Sequence, residues 1–262
     1  MRNHNKFYGK PEYYDIAFDF RDIPAECDFL ETICRKFSER PLSSMLELCA
    51  GPAYHSIEMA RREKNVTALD ISEDMVAYGL AKAKEAEVSF KYIPGDMTDF
   101  KLSESYDLVL LAMDSISYLP DNKAVYDNFK CVSHCLSDKG LYVIEIGHPR
   151  DFLGRDRASV PRWKMKRGYK EVEIQWGDES DPFDPITQIT QTSVRLKYSD
   201  GLERGEIFDR APQRCFTCNE FLALVDAVPY FEIMKMYGSM NGEIPFSNDK
   251  KSWRMIPILR LK

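Results

Sequence analysis

Acidic side chains at the ends of separate apolar runs are where this chain could do chemistry. Glu47 sits within SMLELCAGPA, residues 44–53, just before a tight turn whose only glycine is Gly51. Asp70 ends the next apolar run, 66–71, at 19 positions beyond Gly51. Asp96 follows Gly95 after the run 88–93, and Asp114 follows the run 106–113. A buried strand, a tight turn, a helix and an acid at the end of the next strand form the layout of a nucleotide-type site. In such a site the ligand lies at the carboxyl ends of parallel strands, and Asp70 is placed for ribose hydroxyls. Glu47 narrows the ligand. A carboxylate about 4 Å from a phosphate would cost ~4 kcal/mol at an effective dielectric near 20.

S-adenosyl-L-methionine meets that condition, since it carries an adenosine, an ammonium group and a sulfonium but no phosphate. A nicotinamide dinucleotide is disfavoured by Glu47 and by the absence of a GxGxxG run. With 262 residues and 44% hydrophobic residues, the chain can bury a full core. A net charge of −6 gives no electrostatic case for nucleic acid. No apolar run reaches the roughly 20 residues of a membrane span. The N-terminus lacks the apolar core of a secretion signal, and seven cysteines, an odd number, suggest reduced thiols. The expectation is a cytoplasmic protein with neither a membrane nor a nucleic-acid partner.

These residues need elements to position them. Helical spacing predicts a helix over 22–39. Strand and helix then alternate: strand 45–49, helix 53–63, strand 66–71, helix 73–86, strand 88–93, strand 106–113, helix 121–136 and strand 141–146. Such alternation implies parallel βαβ units. From about 160 to 216 the helical period disappears, and strand-like runs at 170–176, 186–198 and 206–216 suggest an antiparallel meander. A helix at 219–228 and two strands, 230–237 and 253–261, complete the chain.

The Glu47, Gly51 and Asp70 layout, with a terminal hairpin closing seven strands, resembles the class I S-adenosylmethionine-dependent methyltransferases. The likeness covers about 42–147 and resumes over 219–262. It implies a Rossmann-like, mostly parallel seven-stranded sheet with helices on both faces, a terminal antiparallel hairpin, and an antiparallel β insert after strand five. Its domains would be an N-terminal lid and helix (1–41), a cofactor-binding core (42–149 and 217–262) and a substrate-covering insert (150–216). The implied cofactor contacts are Tyr14, Glu47, Cys49, Ala50, Gly51, Asp70, Ile71, Met75, Asp96, Met97 and Met113, with Asp96 on the adenine amino group. Cys49 and Ala53 stand where the family usually has glycine, a departure that bears on affinity and on whether the site works.

The activity implied is methyl transfer to a small-molecule acceptor at nitrogen or oxygen, which depends more on alignment than on strong acid or base. Asp114, Tyr118 and His148 are the candidate catalytic residues, able to orient the acceptor or take its proton. The aromatic segment Phe7 to Tyr14 is either a lid or a pin holding the tail to the core. His55 reads more readily as a packing or surface residue. Trp163 and Trp176 fit sheet packing or the walls of an acceptor pocket. Cys215 and Cys218, like Cys131 and Cys135, read as core, with no metal expected. A homodimer is compatible with the sequence. Alternatives are a protein side-chain methyltransferase and a non-catalytic S-adenosylmethionine-binding protein.

Overall fold

The computed structural model describes residues 7–153 and 160–262. Residues 1–6 and 154–159, in the expected N-terminal segment and β insert, lie outside that description. Two short helices, α1 (Pro11–Ala17) and α2 (Ile23–Phe37), precede the alternating region. There follow β1 (Ser44–Leu48), α3 (Tyr54–Arg61), β2 (Asn65–Asp70), α4 (Glu73–Glu85), β3 (Lys91–Pro94), β4 (Tyr106–Leu111), α5 (Asn122–Cys135) and β5 (Leu136–Ile144). A two-residue β6 (Ile146–Gly147) and a single turn, α6 (Arg150–Leu153), lead into a second sheet. That sheet comprises β7 (Arg162–Arg167), β8 (Lys170–Trp176), β9 (Phe183–Asp184), β10 (Ile189–Ser199) and β11 (Arg204–Arg214). Then α7 (Cys218–Asp226), β12 (Phe231–Tyr237) and β13 (Arg254–Leu261) end the fold.

The main sheet runs β12-β13-β5-β4-β1-β2-β3. Strands β1 to β5 are parallel, and β13 lies antiparallel to both β5 and β12. Alternation within each strand explains the layers. Leu46, Leu48, Val109, Leu111, Tyr142 and Ile144 face Phe129 of α5 and Phe221 of α7. Their neighbours Met45, Leu108, Leu110, Leu141 and Val143 face Leu30 and Ile33 of α2 and Met59 of α3. Each such fully buried side chain contributes about 1.5–3 kcal/mol relative to exposure. Helix starts are capped by Asp22, Ser72, Asp121 and Thr217, whose side chains accept backbone N–H groups of the first turn.

The second sheet is antiparallel in the order β11-β10-β8-β7, and β9 pairs with β10. Strand β7 was not among the expected runs, although Trp163 and Met165 alternate with basic residues there. Charged residues on both sides hid its period of two. Strand β3 starts three residues later than the 88–93 run implies. Glu87 adopts a left-handed conformation and Val88 N–H still bonds to Ala83 O, so this stretch finishes α4. The aromatic N-terminal segment forms α1 from Pro11, with proline in its first turn.

Candidate active site

The strand order reverses between β1 and β4, where the chain leaves β3 and crosses to the other half of the sheet. Such a crossing leaves a crevice beyond the carboxyl ends of the strands. Here it opens into a cleft of about 1940 Å³. Its floor is made by Cys49 and Gly51 after β1, Asp70 and Ile71 at the end of β2, and Asp96 and Met97 after β3. Met113 and Asp114 after β4, Tyr118, and Gly147 after β5 complete the floor, while Tyr14 and Met75 line the same space. Of the expected site residues, Glu47, Ala50 and His148 do not line it.

The β1–α3 turn needs three left-handed residues, and only one is glycine. Gly51 has φ 53°, but Cys49 has φ 52° and Ala53 φ 62°. The backbone therefore keeps the shape that glycines would give, with roughly 1 kcal/mol or more of strain at each non-glycine position. No heavy atom outside its chain neighbours lies within 4 Å of where a Gly51 Cβ would stand, so that backbone faces open space. Asp70 fastens the turn, its two oxygens accepting from Gly51 N–H and Ser72 N–H at 2.8 Å each. Burial raises its carboxyl pKa despite those bonds. Tyr92 donates to Gly51 O at 2.6 Å, and Ala50 packs inward with Ala68 and Tyr92. Asp96 accepts from Thr98 N–H and hydroxyl, and Asn128 holds the next turn by donating to Met97 O.

Glu47 corrects the expectation of direct ligand contact. Its carboxylate accepts from Ser56 N–H at 2.9 Å and from the Ser56 hydroxyl, capping α3 where Ala53 has no side chain to do so. The helix end that would hold a phosphate is thereby filled by a carboxylate. Glu47 also begins a buried chain of alternating charge. His55 bridges Glu47 at 3.2 Å and Glu26 at 2.7 Å, one carboxylate at each ring nitrogen. Both nitrogens must then carry hydrogen. Burial pulls the imidazole pKa down, but the two carboxylates outweigh it and raise it to about 9. Glu26 passes the chain to Arg21, which pairs with Glu145 at 3.0 Å, and Glu145 meets Arg254 at 3.0 Å. His55 is thus a structural ion within the core.

Glu145, unflagged by the sequence, fixes the turn after β4. Its side chain accepts from Met113 N–H at 2.8 Å, and its carbonyl accepts from Asp114 N–H at 3.1 Å. Burial would raise its pKa, but Arg21 and Arg254 hold it down at about 2. Met113 and Asp114 are consecutive left-handed residues, with φ 59° and 57°. Asp114 accepts from Gly147 N–H at 2.8 Å, yet burial lifts its pKa to about 6. Tyr118 shares a 2.7 Å hydroxyl contact with Tyr8, and burial takes its pKa up to about 12. His148 is a second correction. Its Nδ1 accepts from Arg150 N–H, its Nε2 faces Ser247 O, and its ring packs on Phe246. Both nitrogens serve the fold, and burial lowers the imidazole pKa.

The second sheet and α1 close over this floor. Trp163 donates to Ala17 O at 2.7 Å, Tyr13 stacks on Tyr198 at 4.1 Å, and Arg167 grips Asp15. Trp163 and Trp176 line the cleft alongside Phe18 and Phe20. Among the described lining residues nine are acidic, and Arg254 is the one basic side chain. All seven cysteines are thiols. Among the described residues, no cluster of His, Cys, Asp and Glu could hold a metal, and no helix is long and apolar enough to cross a membrane.

Residues 45–140 match a family model described as a methyltransferase domain. A Streptomyces venezuelae dTDP-3-amino-3,4,6-trideoxy-alpha-D-glucopyranose N,N-dimethyltransferase is 24% identical over 136 residues, covering 51% of this chain and 55% of that protein. The chain spans about half the length of the curated relatives it matches. Two solved structures share the fold over nearly the whole chain. An S-adenosylmethionine-dependent methyltransferase from Clostridium acetobutylicum has TM-score 0.76 and 15% identity, with 95% of this chain and 96% of that one covered. An S-adenosylmethionine-bound amino pentose methyltransferase from Micromonospora echinaspora has TM-score 0.71 and 16% identity, with the same coverage. The strand-end turns at Gly51, Asp70 and Asp96 fall inside the segment that matches the methyltransferase-domain model, and the chain has the fold of S-adenosylmethionine-dependent methyltransferases of known structure.

Proposed function

We propose that the protein transfers a methyl group from S-adenosylmethionine to the nitrogen of a small-molecule acceptor. One observation carries the reading. Asp114, a carboxylate with a pKa of about 6, shares one cleft with the Gly51 turn and Asp70. The residues present fit the cofactor. Asp70, at the end of β2, would meet the ribose, Asp96 and Met97 the adenine, and Cys49, Gly51 and Met113 the methionine half. Tyr14, Ile71 and Met75 would pack against it. The acidic lining suits a sulfonium and an ammonium group, and α3 offers no free N-terminus to a phosphate.

When bound, the cofactor supplies an electrophilic methyl group on a sulfonium sulfur. The chain's own residues do the rest. A carboxylate at Asp114 accepts the proton that an incoming ammonium must lose before its nitrogen lone pair can attack. The nitrogen so freed would take up the methyl group that the bound cofactor supplies, with the neutral thioether as leaving group. Tyr8 and Tyr118 border the reacting region with apolar faces and hydroxyls, and α1 with the second sheet excludes water. On this reading residues 1–41 act as lid and helix, 42–149 with 217–262 as the cofactor-binding core, and 150–216 as the acceptor's cover. The amino-sugar methyltransferases among the structural neighbours support a small acceptor and nitrogen as the attacking atom.

The test is a label-partition assay with methyl-labelled S-adenosylmethionine and extract from the protein's own host. Label should enter the small-molecule fraction with the native protein and not with Asp70→Ala. Label in macromolecules instead would overturn the small-acceptor reading.

A further inference from the structure

The acceptor half of the cleft carries chemistry that the dTDP-linked sugar in one relative's name does not suit. From the proposed function, we infer that the acceptor is a phosphate-free organic amine, bound as an ammonium between an aromatic wall and carboxylates. Two independent observations point there. The first is a continuous aromatic wall. Phe18 lies 5.6 Å from Trp163 and 6.0 Å from Trp176, and Phe20 lies 6.1 Å from Trp163, measured between ring centroids. All four line the cleft, and aromatic faces attract ammonium groups through their quadrupoles.

The second is the charge around that wall. Asp151 follows β6, and Asp178, Glu179 and Asp181 follow β8, all lining the same cleft with Asp114 at its floor. Hydrogen bonds from Ser180 hold the Asp178 pKa below the usual carboxylate range, so it stays ionised while shaping its turn. Against these acids stand Arg254, whose Nε already meets Glu145 at 3.0 Å and whose guanidinium lies over Trp253, and two arginines outside the lining, Arg150 at 3.9 Å from Asp151 and Arg210 at 3.8 Å from Asp181. A diphosphate would bring two or more negative charges among four or five carboxylates. An ammonium gains from the net negative charge that remains after the Arg150–Asp151 and Arg210–Asp181 pairs are set aside.

Protein saturated with S-adenosylhomocysteine is titrated by calorimetry with benzylamine and, separately, with thymidine 5′-diphosphate. The amine should bind at least tenfold more tightly. In Asp151→Asn/Glu179→Gln, at positions outside the packed core, the amine should weaken three- to tenfold while the diphosphate tightens. A diphosphate that binds as well as the amine, or no amine binding at millimolar concentration, overturns the inference. Failure of S-adenosylhomocysteine to bind would instead count against the proposed function. The amine-to-diphosphate ratio, measured on the protein alone, would still decide this inference.

Discussion

Replacing His55 with glutamine tests the buried chain of charge beneath the cofactor turn. His55 is 2% exposed, and its imidazolium stands between Glu47 and Glu26. Its pKa rises from 6.5 to about 9 on folding. At about 1.4 kcal/mol per tenfold, that interval is worth ~3 kcal/mol of stability. Because the folded pKa is the higher one, the contribution is fully present below pH 6.5 and is lost as pH rises through 9. His55→Gln keeps side-chain hydrogen bonding but carries no charge. It should therefore be ~3 kcal/mol less stable than the native chain at pH 6, with the gap closing by pH 9.5. Against a typical total of 5–15 kcal/mol, such a loss is readily measured. The assay is urea unfolding followed by circular dichroism at half-unit steps from pH 6 to 9.5. Groups remote from His55 that titrate in this range are common to both proteins and cancel in the difference. Two curves running parallel across that range would refute a charged His55.

Three further outcomes follow from the site. Asp114→Asn should leave S-adenosylhomocysteine affinity intact by calorimetry while lowering the transfer rate 10²- to 10⁴-fold, and native activity should fall as pH drops through about 6, where Asp114 takes up its proton. Glu145→Gln removes the charge between two buried arginines and should destabilise the fold by ~3–5 kcal/mol, read as a lowered denaturant midpoint. Cys49→Gly should match or exceed native stability by up to about 1 kcal/mol, since φ 52° favours glycine, whereas Cys49→Val should lose at least ~2 kcal/mol on the same assay.

The sequence made legible what is written locally. Apolar runs such as 106–113 and 66–71 marked the central strands, and the acids at their ends, Asp70, Asp96 and Asp114, do border one cleft. Even the turn lacking two of its usual glycines keeps its shape, because cysteine and alanine tolerate the left-handed region under strain. The misses concern side chains whose partners lie far along the chain. Glu47 points to a helix start rather than the cleft because Ser56 and His55, across the β1–α3 turn, hold its carboxylate, and His55 is charged because distant Glu26 takes its other nitrogen. His148 turns to Ser247, 99 residues away. In the sequence Arg254 is one charge at the start of an apolar run, and Glu145 an interruption within another. Their meeting depends on β13 lying beside β5 and β6, a property of the assembled sheet. Strand β7 carried a readable alternation of Trp163 and Met165, masked by its basic flanks.

Arg21 sits just behind α1 and is clamped at both ends, to Glu26 at the start of α2 and to Glu145 at the end of β5. Further forward, Phe7, Tyr14 and Ile16 pack into the second sheet and Arg167 grips the buried Asp15, while Lys170 on Glu12 and Tyr13 on Tyr198 act at the surface. The segment is thus seated along its length, with the buried ions fixing its rear end. If the front came away, its tether at Arg21 would keep its effective concentration near the seat high, and reclosure would be a first-order event. Opening the cleft on this side would mean breaking that aromatic packing and the Asp15–Arg167 pair while the buried ions beneath keep the pivot in place.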